Sequence, residues 1–152
     1  YEEALKIVQS SKYPPKGVRG AGFGFAHDNY KNQGPLNYID KANNNLINII
    51  QIETKVGLEN VEKIAAIEGV DCLWVGHFDL TNFLGIPGQF SSEIYLNAIN
   101  RVVAAAKLNK KSLGIMVNNH DELKMYSNIG FNMIAVGTEM SILSRSISQI
   151  LQ

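Results

Sequence analysis

The sequence predicts an α/β protein whose strands lie parallel beneath a cover of helices. From residue 46 onward, four short apolar runs alternate with four stretches at helical spacing. The runs are nearly continuous in Val, Ile and Leu, the pattern of strands covered by helices, with little of the alternation of a half-solvated sheet. No linker, low-complexity tract or internal repeat divides the 152 residues, so one domain over 1–152 is expected.

The elements follow in order. The chain opens on Tyr1, and YEEALKIVQSS reads at once as a helix with Ala4, Ile7 and Val8 on one face. KYPPKG stops it, because proline cannot continue a helix and restricts the residue before it. A start without Met and inside a helix reads as part of something longer. RGAGFG (19–24) imitates a dinucleotide fingerprint, but it follows PPKGV and no helix clearly opens on it. It reads as a loop near a barrel mouth, with Arg19 in an ion pair or loop hydrogen bond. The strands are LINIIQIE (46–53), VDCLWVG (70–76), SLGIMVN (112–118) and NMIAVG (132–137). Between them lie helical stretches over 55–69, 91–111 and 120–130, and a last amphipathic helix closes the chain over 139–152. In the second stretch Tyr95, Ala98, Ile99, Val102 and Ala106 share a face. Gly69 and Gly130 stand where left-handed helix ends belong, and Asp121 and Glu122 fall in a first turn, where the helix dipole favours negative charge.

Two architectures carry such units. One is an open doubly wound sheet; the other is part of a (β/α)8 barrel, whose full length is about 250 residues. Four strands behind a severed helix favour the second half of the barrel, with its N-terminal strands outside this chain. Periodicity alone does not decide between them.

Composition excludes several classes. Fourteen basic residues balance fourteen acidic ones, so no basic surface points to nucleic acid or an anionic membrane. No apolar run approaches the roughly 20 residues of a membrane span, and no charged-then-apolar leader is expected. The single cysteine, Cys72, lies in an apolar run and reads as a small buried side chain in a reducing compartment. A soluble, cytoplasmic protein is expected.

Two carboxylates stand where two apolar strands stop: Glu53 ends IIQIE, and Asp79 follows LWVGHF. Alternate strand residues share a face, so Gln51 and Glu53 point together while Ile50 and Ile52 meet the helices. Carboxyl ends of parallel strands carry the chemistry in both architectures. Two unpaired acids converging there would repel each other and resist burial. A hard divalent cation such as magnesium or manganese resolves this. Singly, each acid has a plainer reading: Asp79 as a helix N-cap before LTNFLG, and Glu53 paired with Lys55. Together with Gln51, they favour the metal.

GVRG, KAN, QIET, IEGVDCLWVGHFDLT and AVGTEMSIL resemble, in the same order and over essentially the whole chain, the HpcH/HpaI class II aldolases of the pyruvate/phosphoenolpyruvate-type barrel superfamily. The resemblance implies a metal-dependent lyase that cleaves or forms 4-hydroxy-2-oxo acids, giving pyruvate and an aldehyde through a metal-stabilised enolate. It implies Glu53 and Asp79 as ligands of a divalent cation (Mg, Mn or Co). Gln51 would contact the oxo acid, and Phe78 would offer its backbone N–H to the substrate carboxylate. It also implies a homo-oligomer. The general base, a histidine assisted by an aspartate, and a substrate-binding arginine would lie upstream of this chain, so this stretch alone is expected to be inactive.

The departures bear on the acceptor. His77 stands where many relatives have proline, and Phe78 where they have a small residue, which affects the aldehyde pocket. His27 lies where some relatives carry a substrate-contacting arginine, but it reads as a surface-loop residue. His120 reads as the start of a surface helix, and Trp74 and Phe83 as packing. Thr138 lies where barrels often bind phosphate, but it lacks a glycine-rich turn. Two other functions compete: a sister lyase acting on CoA thioesters or citrate-like acids, and a non-catalytic half-barrel used for binding or assembly.

Overall fold

The computed structural model describes residues 1–31 and 34–151. Four parallel strands, β1 (Ile49–Ile52), β2 (Cys72–Val75), β3 (Ser112–Val117) and β4 (Met133–Val136), lie side by side in chain order. Gln51 stands opposite Trp74, Trp74 opposite Gly114, and Met116 opposite Ala135. The helices are α1 (Glu2–Ser11), α2 (Pro35–Asn45), α3 (Lys55–Glu59), α4 (Val61–Ala65), α5 (His77–Phe83), α6 (Glu93–Leu108), α7 (His120–Ile129) and α8 (Glu139–Ile150). Gln152, the last residue of the helix expected from the sequence, lies outside the described residues.

The two faces of the sheet decide the architecture. On one face Ile50, Ile52, Leu73, Val75, Leu113, Ile115 and Val117 are all buried. They form one core with Val61 and Ile64 of α4 and Ala98, Ile99, Val102 and Ala106 of α6. Each such aliphatic chain contributes on the order of 2 kcal/mol by leaving water, which is why this face holds no polar residue. The other face carries exposed Ile49 and Gln51 and half-buried Trp74 and Met116, none of which belongs to that core. A doubly wound sheet has helices on both faces; a barrel keeps them outside and fills its interior with side chains. Sequential strands covered on one side are half of a (β/α)8 barrel.

Several elements differ from the sequence reading. The stretch 55–69 is two short helices broken at Asn60, whose backbone leaves the helical region at ψ 10°. Gly69 does adopt a positive φ of 92°, but it lies beyond the end of α4 in the turn into β2; Gly130, at φ 116°, is the true left-handed cap of α7. Ile7 is exposed; Ala4 and Val8 are buried and half-buried Leu5 packs beside them to anchor α1. The α2 helix was not foreseen, because its one buried residue is polar. Asn43 accepts from the Tyr13 N–H at 2.8 Å and donates to the Tyr13 carbonyl at 3.1 Å, and this paired amide does the work of an apolar stripe. RGAGFG is indeed irregular. However, the N–H groups of Val18 and Arg19 donate to Gln9 and Lys12, at the end of α1 that lies beside Gly69. The segment therefore starts at the amino end of the sheet, away from the mouth. Among the described residues Arg19 makes neither of the side-chain contacts expected of it; its guanidinium lies over the Tyr13 ring, 4.6 Å from the centroid.

Candidate active site at the carboxyl ends of β1 and β2

The first turn beyond β2 sets the geometry. The N–H of Gly76 donates to the Ile52 carbonyl at 3.1 Å, which draws the end of β2 against the end of β1. An added Cβ on Gly76 would stand 2.8 Å from Glu53 Cβ, 2.9 Å from Gln51 Nε2 and 3.0 Å from Glu53 Oε2. Its φ of −82° is open to any residue, so glycine is required here for space. The contact with Gln51 and Glu53, rather than the turn itself, is what excludes a side chain.

Around this glycine the two strand ends bring their polar side chains together. The Gln51 amide donates to the Glu53 carboxylate. Among the described residues no ion pair joins Glu53 to Lys55, so the plainer reading of that acid does not hold. Asp79 is not the N-cap of the next helix either. Gly76 occupies that position, and Asp79 lies inside the first turn of α5, three residues on. There it lines a cleft of about 280 Å³ together with Gln51, Trp74, Val75, Gly76, His77, Phe78 and Met116. Glu53 borders a second cavity on the far side of Gln51, toward α1. Gln51 is thus shared by the two, with an acid on either side. Among the described residues no three His, Cys, Asp or Glu side chains gather into a metal-holding group.

Trp74 and Met116 were missed as site residues. The signal lay in strand alternation: Trp74 stands opposite Gln51, so a residue that shares the register of the site faces the site. Gly114 completes the arrangement, since a Cβ there would come within 2.4 Å of Trp74 Cε3. The indole occupies its place beside Gly114 only because that position carries no side chain.

The other candidates have structural roles. His77 is buried against Phe78 and Phe90, with ring centroids 4.6 and 5.2 Å away. Burial pushes its imidazole below the usual pKa, partly opposed by the charge of Glu122. His27 is exposed, and its Nε2 meets the Gly22 carbonyl at 2.9 Å. His120 opens α7 at the surface. Thr138 caps α8 in a reciprocal arrangement with Ser141. Cys72 is fully buried, and burial raises its thiol to about 11, as expected of a packing residue.

The HpcH/HpaI aldolase/citrate lyase family model matches residues 1–146. The chain belongs to that family. It is 34% identical over 149 residues to a hydroxypyruvate/pyruvate aldolase of Deinococcus radiodurans, covering 95% of this chain and 52% of that protein. It is 32% identical over 145 residues to a 4-hydroxy-2-oxo-heptane-1,7-dioate aldolase of Shigella flexneri, covering 95% and 54%. A solved structure of a family protein from Burkholderia cenocepacia superposes with a TM-score of 0.92 at 31% identity, over 99% of this chain and 60% of that one. The chain therefore spans about half the length of the curated relatives it matches.

Proposed function

We propose that this chain is the C-terminal portion of a divalent-metal-dependent aldolase that cleaves or forms 4-hydroxy-2-oxo acids, with pyruvate and an aldehyde as the other partners. The observation that supports this reading is the packing of Gln51 and Glu53 against Gly76 at the carboxyl end of β1, with Asp79, three residues beyond that glycine, lining the cleft that Gln51 and Gly76 share. The N-terminal strands, a general-base histidine and a substrate arginine belong, on this reading, to a preceding segment of the same protein.

The donor set suits a hard cation. Glu53 and Asp79 would hold magnesium, manganese or cobalt: two carboxylates balance a double charge, and so few protein ligands leave positions for substrate and water. When bound, the cation supplies Lewis acidity at the ketone oxygen of a 2-oxo acid. The protein's own part is positional. Gln51 orients Glu53 through its amide and also reaches the cleft, where it can contact the oxo acid. The backbone N–H of Phe78 lies in the first turn of α5, where such groups lack an intrahelical partner and can meet a substrate carboxylate.

The reading is tested on the full-length protein by exchange of the pyruvate methyl protons with deuterium. Exchange is expected with Mg²⁺, Mn²⁺ or Co²⁺, to be lost with EDTA, and to return on readdition of the metal. Exchange that ignores the chelator removes the metal; cleavage of a CoA thioester or of citrate without pyruvate exchange favours the sister lyase.

Assembly follows from what this half leaves uncovered. The sheet ends in two edge strands, β1 and β4, and no residue of α8 is buried although Met140, Leu143 and Ile147 lie along it. Open edges and apolar faces are surfaces that monomers avoid. Residues 1–152 expressed alone are expected to self-associate or aggregate, and the full-length protein to be a homo-oligomer. No helix of the described residues is long and apolar enough to cross a membrane, and a cytoplasmic location is part of the proposal. Sedimentation that showed a stable monomer of the isolated stretch would count against this account of its surfaces.

A further inference from the structure

The cleft has an apolar wall that the pyruvate half of the reaction does not use. Apart from Gln51 and Asp79, its prominent lining is Trp74, Phe78 and Met116, and among the described residues no lysine or arginine lines it. Phe78 is 56% exposed. An exposed ring at the start of a helix would ordinarily turn freely, but this one is held. Phe90, in the segment between α5 and α6, meets it edge to face with centroids 5.1 Å apart, and His77 meets it at 4.6 Å. Phe90 is itself anchored on buried Tyr95 at 5.5 Å, and the Tyr95 hydroxyl lies 2.8 Å from that of Tyr126. A chain of aromatic contacts therefore runs from the core of α6 and α7 to the cleft.

We propose that the Phe78 ring, held by Phe90 and His77 beside Trp74 and Met116, makes this cleft select an uncharged, apolar aldehyde as acceptor, with Phe90 as a positioning residue. The inference rests on the aldolase reading above. An acceptor ending in a carboxylate, of the kind implied by the dioate named for the Shigella flexneri relative, needs a charged or hydrogen-bonding partner at its far end. In this half of the cleft it would meet the Trp74 and Phe78 rings and the Met116 thioether instead.

The test compares hexanal with succinic semialdehyde as acceptors for pyruvate, using the full-length protein with Mn²⁺. The ratio of kcat/KM is expected to favour hexanal by about tenfold or more. Phe90→Ala should reduce that ratio by a similar factor, mainly by raising KM for hexanal, and leave pyruvate proton exchange unchanged. Phe90→Leu, which keeps the apolar bulk but not the ring, should fall between, and Phe90→Tyr should restore the preference. Exchange with a preference for succinic semialdehyde overturns the inference and leaves the aldolase reading standing. So does a Phe90→Ala or Phe90→Leu protein that loses exchange and both acceptors in equal proportion, since that is a structural defect. Absence of exchange in the unaltered protein overturns the aldolase reading and this inference with it.

Discussion

Asp79→Asn in the full-length protein is expected to lower Mn²⁺ affinity by on the order of 100-fold and to slow pyruvate proton exchange with it, while stability changes little. The residue is exposed in the first turn of α5 and packs into no core, so the substitution keeps shape and removes one negative charge. The cost to the fold is limited to the lost interaction with the helix dipole, about 0.3–1 kcal/mol. Leu80→Asn, one position on, is the control. Leu80 is fully buried, and a polar amide in its place should cost about 3 kcal/mol or more, with metal affinity of the folded fraction unaltered. Calorimetric Mn²⁺ titration beside thermal denaturation separates the two. Unchanged Mn²⁺ affinity in Asp79→Asn would reduce that carboxylate to a first-turn acid with a dipole role only.

Where polar contacts replaced apolar periodicity, the sequence could not be read. The strands, α6 and the Gly130 cap were legible because each depends on a repeating apolar pattern or on one residue's backbone freedom. The α2 helix depends on Asn43 bonded to Tyr13, a pairing thirty residues apart that no local window contains. The break at Asn60 was equally hidden, since LENVEK keeps helical spacing across it. At the site, alternation in QIE placed Gln51 and Glu53 on the inner face, but the packing of Gly76 against both emerged only when β2 was set beside β1. Register is a relation between strands, and it alone shows that Trp74 shares the face of Gln51. The resemblance to a family supplied roles for Glu53 and Asp79 that composition and spacing left open. It supplied nothing for Phe90, whose role comes from ring geometry.

Gly76→Ala is expected to reduce pyruvate proton exchange by about 100-fold or more with only a modest loss of stability. The backbone at φ −82° accepts alanine without strain, and a glycine that served only to turn the chain would on replacement leave stability level or raise it by about 0.4–1 kcal/mol. Space gives the opposite expectation. The new methyl would stand 2.8 Å from Glu53 Cβ and 2.9 Å from Gln51 Nε2, closer than carbon and nitrogen pack, so both side chains must shift. Overpacking of this kind costs about 1–3 kcal/mol, and the low end applies here because Gln51 is exposed and can move. Catalysis tolerates such movement far less well, since a displacement of roughly 1 Å at a positioned group can cost on the order of 100-fold in rate. Gly130→Ala provides the contrast. Its φ of 116° penalises any side chain, while it lies at the far end of α7 beside Lys107 and Leu113, so stability should fall by about 1 kcal/mol with exchange per folded molecule intact. Measured together, the two variants separate a glycine kept for its backbone from one kept for its neighbours. Full exchange in Gly76→Ala would mean that Gln51 and Glu53 need no fixed position, and the site built around them would then have no role in the reaction.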